Sequence, residues 1–421
     1  MLATEVGSPS SAGNPRSLVV VGASLAGLRA VEAARRAGFD GRITLIGAEA
    51  HVPYDRPPLS KAFLEPADKE PSPPYFRDKQ ILENDLGVEL VLGSPATGLD
   101  AENKRVLIDD REIGYDALVI ATGCAPRTLP MGEGLAGVHA LRTIEDAMAV
   151  RKALSHSTCT VVIGGGFIGS EVASAARLRG GEVTVVEALP TPLVRAAGAQ
   201  MGSAIASLHE RNGTSLRCGH GVRSIEGDDR VQRVVLDDGS SIDADLVVVG
   251  VGVTPATKWL AGSGVLIDDG VRCDETLWTG VPGVYAAGDV VNWPNAVIGE
   301  RQRMENWTAA AEQGATAARN ALDPENAKPY GTAPYFWSDW YDVRIQFVGS
   351  PNADEVRVVA GEPGVSDQWV ALYRRGDRLI GALTVNGQTV IMKYRVMITK
   401  GASWDDALAF AEKRKSAAAA R

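Results

Sequence analysis

Residues 161–171 read VVIGGGFIGSE. A β-branched run followed by Gly164, Gly166 and Gly169 at the spacing G-x-G-x-x-G is the pattern of a buried strand turning into a helix whose N-terminus holds a dinucleotide pyrophosphate. Gly164 permits the tight turn, Gly166 lets the backbone approach the phosphates, and Gly169 lets the helix pack closely on the strand. The next strand-like run, EVTVVE, ends in Glu187, 187 − 169 = 18 residues on, where a carboxylate binds a ribose 2′-OH. A carboxylate there repels a 2′-phosphate and favours NADH over NADPH, although Arg195, eight residues later, leaves a cation in the same segment.

This stretch lies in the middle of the chain, and a similar one, VVVGASLAGLRA, already occupies residues 19–30. The earlier copy carries Gly22, Ser24 and Gly27 where three glycines are usual; serine is small enough to keep the backbone near a phosphate. Its acidic residue, Glu49, lies 49 − 27 = 22 residues on and is placed to hold an adenosine ribose. Two dinucleotide sites in one chain have a use if one dinucleotide is a flavin and the other a nicotinamide, between whose rings a hydride passes. The second fingerprint is then the NADH site, inserted into a domain already committed to FAD.

Strand-like and helical patterns alternate through about residue 325, the signature of parallel α/β units. The first unit runs SLVVVG, a helix from Leu25 to Ala37, then RITLIG; the second runs TVVIGG, a helix to Arg179, then EVTVVE. YDALVIATG, ADLVVVGVGVTP and GVYAAGDVV each read as a buried parallel strand delivering a glycine-rich loop at the edge where doubly wound sheets bind ligands. From about Pro334 the texture becomes aromatic and alternating, and VALYRRGDRLIGALTVNG reads as two antiparallel strands around a Gly-Asp turn. The fold class is therefore α/β, two Rossmann-like domains plus a small C-terminal α+β domain. The expected boundaries are 1–120 for the first part of the FAD domain, 121–248 for the NADH domain, 249–331 for the rest of the FAD domain and 332–421 for the last. The final WDDALAFAEKRKSAAAAR reads as a surface helix fraying into a polar tail.

A chain of 421 residues suits two to four domains at about 100–200 residues each. A net charge of −9 argues against nucleic acid or an anionic membrane as the main partner. No apolar run is long enough to span a bilayer, and the first 17 residues lack the charged and apolar regions of a signal peptide, so a cytoplasmic protein with a disordered first stretch is expected. Cys124, Cys159, Cys218 and Cys273 form no close pair, which excludes a neighbouring redox dithiol, an iron–sulfur cluster and a structural zinc; each reads as a small buried hydrophobe. No metal is expected.

VVVGASLAGL, YDRPPLSK, ATG, GGGFIGSE, GVGVTP, YAAGDV and the late FWSD, in this order over almost the whole chain, resemble the FAD-dependent, NADH-dependent ferredoxin reductases of bacterial cytochrome P450 and Rieske oxygenase systems, the putidaredoxin reductase type. The glycine motifs are shared by a wide flavoprotein superfamily, whereas PPLSK together with a late FWSD is narrower. The resemblance implies a glutathione-reductase-like fold. It assigns to FAD, besides Gly22, Ser24, Gly27 and Glu49, residues Ala26, Arg56, Lys61, Ala96, Ala121, Thr122, Gly123, Arg127, Asp289 and Trp307, with Lys61 near the isoalloxazine. To NAD it adds Phe167, Ile168, Glu171 and Gly252 beside Gly164, Gly166, Gly169, Glu187 and Arg195. Glu171 corresponds to the glutamate at the nicotinamide edge and is expected to pair with Lys61; Trp337 corresponds to the aromatic covering the flavin, and Trp307 to a position whose backbone, more than its side chain, meets the flavin. Trp340 and Tyr341 read as core residues of the last domain.

The implied electron acceptor is a [2Fe–2S] ferredoxin, and indirectly a cytochrome P450 or Rieske oxygenase; a monomer or weak homodimer is expected. Such ferredoxins are strongly acidic, so docking to a chain of net −9 needs a local basic patch, drawn from Arg77, Arg301, Arg303, Arg344, Lys393 and Arg395. Disulfide reductases need a cysteine pair beside the flavin, and peroxide or NADH oxidases of the related type a single reactive cysteine early in the chain; PPLSK contains none, while Cys124 follows ATG. The alternatives kept are a pyridine-nucleotide oxidoreductase with another acceptor and a signalling flavoprotein. A flavoprotein of the apoptosis-inducing-factor type would use NADH to change conformation or partner, and fast ferredoxin reduction separates it from a reductase.

Overall fold

The structure, a computed structural model, describes residues 15–67 and 69–419. The expected disordered first stretch lies outside the described residues, as do the last two residues of the expected tail. Contacts divide the chain into two compact units: one takes residues up to 55, 74–125 and 255–332, the other 56–73, 126–254 and 333–421. The Pro-rich segment 56–73 thus groups with the region around the second fingerprint and the C-terminal domain, a division that differs from the sequence boundaries.

The first unit is built on a five-stranded parallel sheet in the order Val284–Ala286, Ala117–Ile120, Ser17–Val21, Arg42–Ile46, Val88–Val91. Its central strands are buried along their length (Val19 and Leu118 are fully enclosed), which explains why they read as continuous apolar runs rather than as alternation. The run GVYAAGDVV does not stay in this sheet. It turns at Gly288 (φ 83°) and continues as Val291–Asn295, which pairs antiparallel with Glu300–Arg303.

The helix Leu25–Arg36 packs on Trp307–Leu322 through small residues: Ala26 and Ala30 share one buried cluster with Ala310, Ala317 and Ala321, and Gly314 lies against Ala26. The axes approach so closely that a Cβ on Gly314 would lie 2.2 Å from the Ala26 carbonyl oxygen. Close packing of this kind fixes where the first fingerprint's helix begins, and therefore where its N–H groups point.

The second unit repeats the plan with a parallel sheet in the order Ser215–Cys218, Glu182–Glu187, Cys159–Ile163, Leu246–Val249, Val138–Ala140. Its C-terminal portion is a five-stranded antiparallel sheet in the order Tyr335–Trp340, Val343–Gly349, Arg378–Val385, Trp369–Arg375, Glu355–Ala360, followed by helices Gln388–Thr399 and Trp404–Ala419. The Gly-Asp turn expected from sequence joins Arg375 to Arg378. The aromatic stretch before it is a second hairpin, whose two-residue turn puts Tyr341 (φ 49°) and Asp342 (φ 68°) in the left-handed region that matches strand twist. The inner face of this sheet, with Trp340, Phe347, Trp369 and Tyr373, packs on Leu193, Ala197, Met201 and Ile205 from the helix Val194–Arg211 and the residue before it.

Gly314→Ala tests the helix contact in the first unit. A methyl group forced against the Ala26 backbone costs about 1–3 kcal/mol, the range for overpacking a tight interface. The variant is expected to melt at a lower temperature in calorimetry and to retain flavin less well; an unchanged transition would remove the close approach as a constraint.

Candidate functional site

Both fingerprints use their glycines in the same way. In the first unit a Cβ on Gly22 (φ 121°) would lie 2.0 Å from the Ala121 carbonyl oxygen, and one on Gly27 would lie 2.0 Å from the Gly22 oxygen. In the second, a Cβ on Gly164 (φ 107°) would lie 2.4 Å from the Gly250 oxygen, and one on Gly169 2.2 Å from the Gly164 oxygen. The outer glycines are therefore required by the protein's own backbone. Gly166 is different: nothing lies within 4 Å of where its Cβ would be. The space it leaves open faces the start of the helix Phe167–Leu178, of which it is the N-cap. Ser24, extended (φ −127°, ψ −159°), is the N-cap of Leu25–Arg36.

Around the first cradle, Ala26 and Ala121 are buried, and Thr122 donates to the Ala256 carbonyl at 2.9 Å. Gly123 is left-handed at φ 64°. Glu49 accepts from the Tyr54 hydroxyl at 2.5 Å. Ala96 opens the strand Ala96–Asp100, paired to Ile108. Asp289 follows the Gly288 turn, whose N–H donates to Gln313. The Trp307 indole has a partner within the protein, its Nε1 donating to Asp55 Oδ1 at 2.8 Å.

Around the second cradle, Glu187 turns back on the loop. Its Oε2 accepts from Gly165 N at 2.9 Å and its Oε1 from Leu189 N at 2.8 Å, so the carboxylate is fixed beside the fingerprint. Arg195 is exposed in the first turn of Val194–Arg211. Gly252, left-handed at φ 95°, accepts from Arg127 N at 2.9 Å, while Arg127 Nε donates to Val253 O at 3.2 Å. Arg56 donates to the Arg142 carbonyl at 2.7 Å. Ile168 is 42% exposed, and Phe167 packs on Phe336 with ring centroids 4.6 Å apart.

Lys61 and Glu171 meet, as expected from sequence. Lys61 Nζ lies 2.7 Å from Glu171 Oε1 and also donates to Pro57 O at 3.3 Å; the glutamate side chain is 4% exposed. Two serines complete the carboxylate's surroundings, Ser60 donating to Oε2 and Ser338 to Oε1, and Trp340 Nε1 donates to Ser338 Oγ at 2.8 Å. Trp337 projects from the other face of the same strand, half-buried and stacked on Tyr335 at 5.8 Å. A buried carboxylate held by one ammonium and two hydroxyls is compensated as burial of an ion requires.

Residues 16–314 match the family described as pyridine nucleotide-disulphide oxidoreductase, and residues 335–416 match the one described as reductase C-terminal. The chain belongs to the pyridine nucleotide-disulphide oxidoreductase family. It is similar to rhodocoxin reductase of Rhodococcus erythropolis, 37% identical over 88% of this chain and 86% of the relative. It is also similar to the ferredoxin–NAD(+) reductase component of the p-cumate 2,3-dioxygenase system of Pseudomonas putida, 35% identical over 88% and 90%. Among solved structures it resembles the covalent putidaredoxin reductase–putidaredoxin complex, 30% identical, with a TM-score of 0.85 over 93% of this chain and 94% of the other.

The cofactors of the family, FAD and NAD(H), suit these two cradles. Each presents a helix N-terminus behind a glycine or serine turn, and nothing in the protein itself occupies the space beside Gly166. The dithiol in the family's name has no counterpart here. All four cysteines are free, Cys124 and Cys273 buried but Cys159 and Cys218 half-exposed, so only the first two fit the reading of each as a buried hydrophobe.

The expected docking cations fare less well. Arg77 reaches Glu32 at 3.1 Å, Arg301 donates to the carbonyls of Cys273 and Asn292, and Arg303 lies between Asp269 and Glu305 with 11% of its side chain exposed. Arg344 makes a two-pronged pair with Asp339, and Arg395 Nε donates to Ala333 O. Only Lys393 of the six stands on exposed surface without an ion pair or hydrogen bond among the described residues. Sequence shows where a cation is, and the fold decides whether an internal carbonyl or carboxylate already uses it.

Ser60 and Ser338 were missed although both lie inside quoted motifs, PPLSK and FWSD; their hydroxyls mattered only once Glu171 was known to be buried between them.

Glu187 provides the test of nucleotide choice. Glu187→Ala combined with Leu189→Arg, at a position 39% exposed, removes the carboxylate and adds a cation. The kcat/KM ratio is expected to move toward NADPH by about 1–3 kcal/mol, roughly 5- to 150-fold. Equal losses with both nucleotides would refute the role.

Proposed function

We propose that this protein is an FAD-dependent NADH:ferredoxin reductase that passes electrons singly to a [2Fe–2S] ferredoxin serving a cytochrome P450 or another oxygenase. The observation that carries the reading is the C-terminal domain, which matches the reductase C-terminal family and meets Glu171 through Ser338, in a chain whose four cysteines are all free. The named relatives are reductases of this kind and support the same activity.

Gly22, Ser24, Ala26, Gly27, Glu49, Arg56, Lys61, Ala96, Ala121, Thr122, Gly123, Arg127, Asp289 and Trp307 would hold FAD. Gly164, Gly166, Phe167, Ile168, Gly169, Glu171, Glu187, Arg195 and Gly252 would hold NADH. When bound, the flavin supplies the conversion of a two-electron donor into single-electron delivery. The protein's part is placement. The N–H groups at the two helix starts face the pyrophosphates, Glu187 orients a ribose, and the Lys61–Glu171 pair brings no net charge to the reacting ring. Trp337 supplies an apolar cover that excludes water. No side chain is needed as a general acid or base.

No helix among the described residues is long and apolar enough to cross a membrane. Free thiols and the use of NADH favour the cytoplasm as the working compartment.

The test is NADH-driven bleaching of a panel of [2Fe–2S] ferredoxins by the flavin-loaded protein, beside NADPH controls. Rapid reduction of at least one ferredoxin is expected. Fast flavin reduction by NADH with no electron delivery to any of them would overturn the ferredoxin assignment.

A further inference from the structure

The strand Tyr335–Trp340 alternates its side chains, so Phe336, Ser338 and Trp340 share one face. The helix Phe167–Leu178 places Phe167, Ser170, Glu171 and Ser174 at i, i+3, i+4 and i+7, which is one stripe. The two sets meet. Phe336 packs on Phe167, Ser338 donates to Glu171, and the backbone N–H of Tyr341 donates to Ser174 Oγ at 2.8 Å. His209, fully buried, stacks on Trp340 at 5.1 Å and hydrogen-bonds Ser170 at 3.1 Å and the Tyr341 hydroxyl at 2.8 Å. Burial lowers its pKa to about 4, so the ring is neutral and offers one donor and one acceptor to these two hydroxyls. The same contacts hold Tyr341 in its left-handed turn position.

The direction of the central chain is fixed by chemistry. An indole N–H can only donate, so Trp340 takes up an acceptor site on Ser338 Oγ, and the hydroxyl's single proton is directed at Glu171 Oε1. Oε1 then accepts from Ser338 and Lys61 together, and Oε2 from Ser60.

We propose that Ser338, oriented by Trp340, is a positioning residue that keeps the Glu171 carboxylate aimed at Lys61, so that the C-terminal domain sets the geometry of the nicotinamide-side carboxylate. The inference rests on the placement of NADH and FAD at these residues, and does not depend on which acceptor follows. Without the Ser338 hydroxyl, Oε1 loses one of its two donors, the carboxylate is free to turn away from Lys61, and the Lys61 charge is less closely matched.

The experiment uses flavin-loaded protein and omits ferredoxin, so a failed ferredoxin assignment leaves it readable. Ser338→Ala is expected to slow flavin reduction at saturating NADH by roughly 10- to 100-fold, the effect of losing a hydrogen bond to a charged group. It is also expected to move the flavin midpoint potential to a more positive value in dye-coupled titration. Ser338→Thr, which keeps the hydroxyl, restores both; Trp340→Phe, which keeps the ring and removes the N–H, moves both in the direction of the alanine variant by a smaller factor. A Ser338→Ala protein with a lower melting temperature but unchanged reduction rate and potential would overturn the proposal, as would a folded Ser338→Thr protein as slow as the alanine variant.

Discussion

The second unit is organised around one buried negative charge. Placing the Glu171 carboxylate at 4% exposure is costly unless donors meet it, and removing a partner from such a group costs about 3–5 kcal/mol because the ion left behind is uncompensated. Its donors come from Ser60 and Lys61 in the Pro-rich turn and from Ser338 at position 338 of the chain. Three segments remote in sequence are thereby brought together: the turn, the fingerprint helix and the first strand of the C-terminal sheet. Segment 56–73 groups with this unit, although the chain around it belongs to the other, and its two donors to Glu171 give a physical reason.

The two glycine cradles show which parts of the pattern serve the protein and which serve a ligand. At the first and third glycines of both copies a Cβ would lie 2.0–2.4 Å from a backbone oxygen, so the fold itself requires glycine there with or without a ligand. Only the middle position is free of such a demand. It is glycine in the second copy and serine in the first, where a small side chain caps its helix in an extended conformation. The departure from G-x-G-x-x-G at Ser24 is therefore compatible with the same use.

Much of this was legible in the sequence. Buried parallel strands read as continuous apolar runs, and the positions of both sheets' central strands followed directly from VVV and VVI beside glycine. The Lys61–Glu171 pair followed from resemblance. What could not be read was hydrogen-bond capacity. Trp307 binds Asp55 through its indole, and five of the six arginines and lysines offered for docking donate to groups within the protein. Composition counts charges without showing which are occupied, because occupancy depends on carbonyls and carboxylates brought near by the fold. His209 gave no signal at all; a lone histidine in a helix acquires its role from Ser170, Trp340 and Tyr341, which lie 39 to 132 residues away.

Both gaps concern polar contacts that only the fold creates, and this bears on how electrons leave the protein. A cation enclosed among its own partners, as Arg303 is with 11% of its side chain exposed, is a poor partner for an acidic docking surface, whereas Arg77 and Arg344 make weaker pairs at the surface. The helix Gln388–Thr399 is different: Lys393 stands exposed there beside Met392 and Val396, with no acidic residue in the helix, and Lys400 follows it. On a chain of net charge −9, such a local exception matters more than the total, since steering depends on the field where the partner touches. The same small domain therefore contributes at both ends of its fold: an inner strand face that fixes Glu171, and an outer helix face whose apolar and positive groups remain available to solvent.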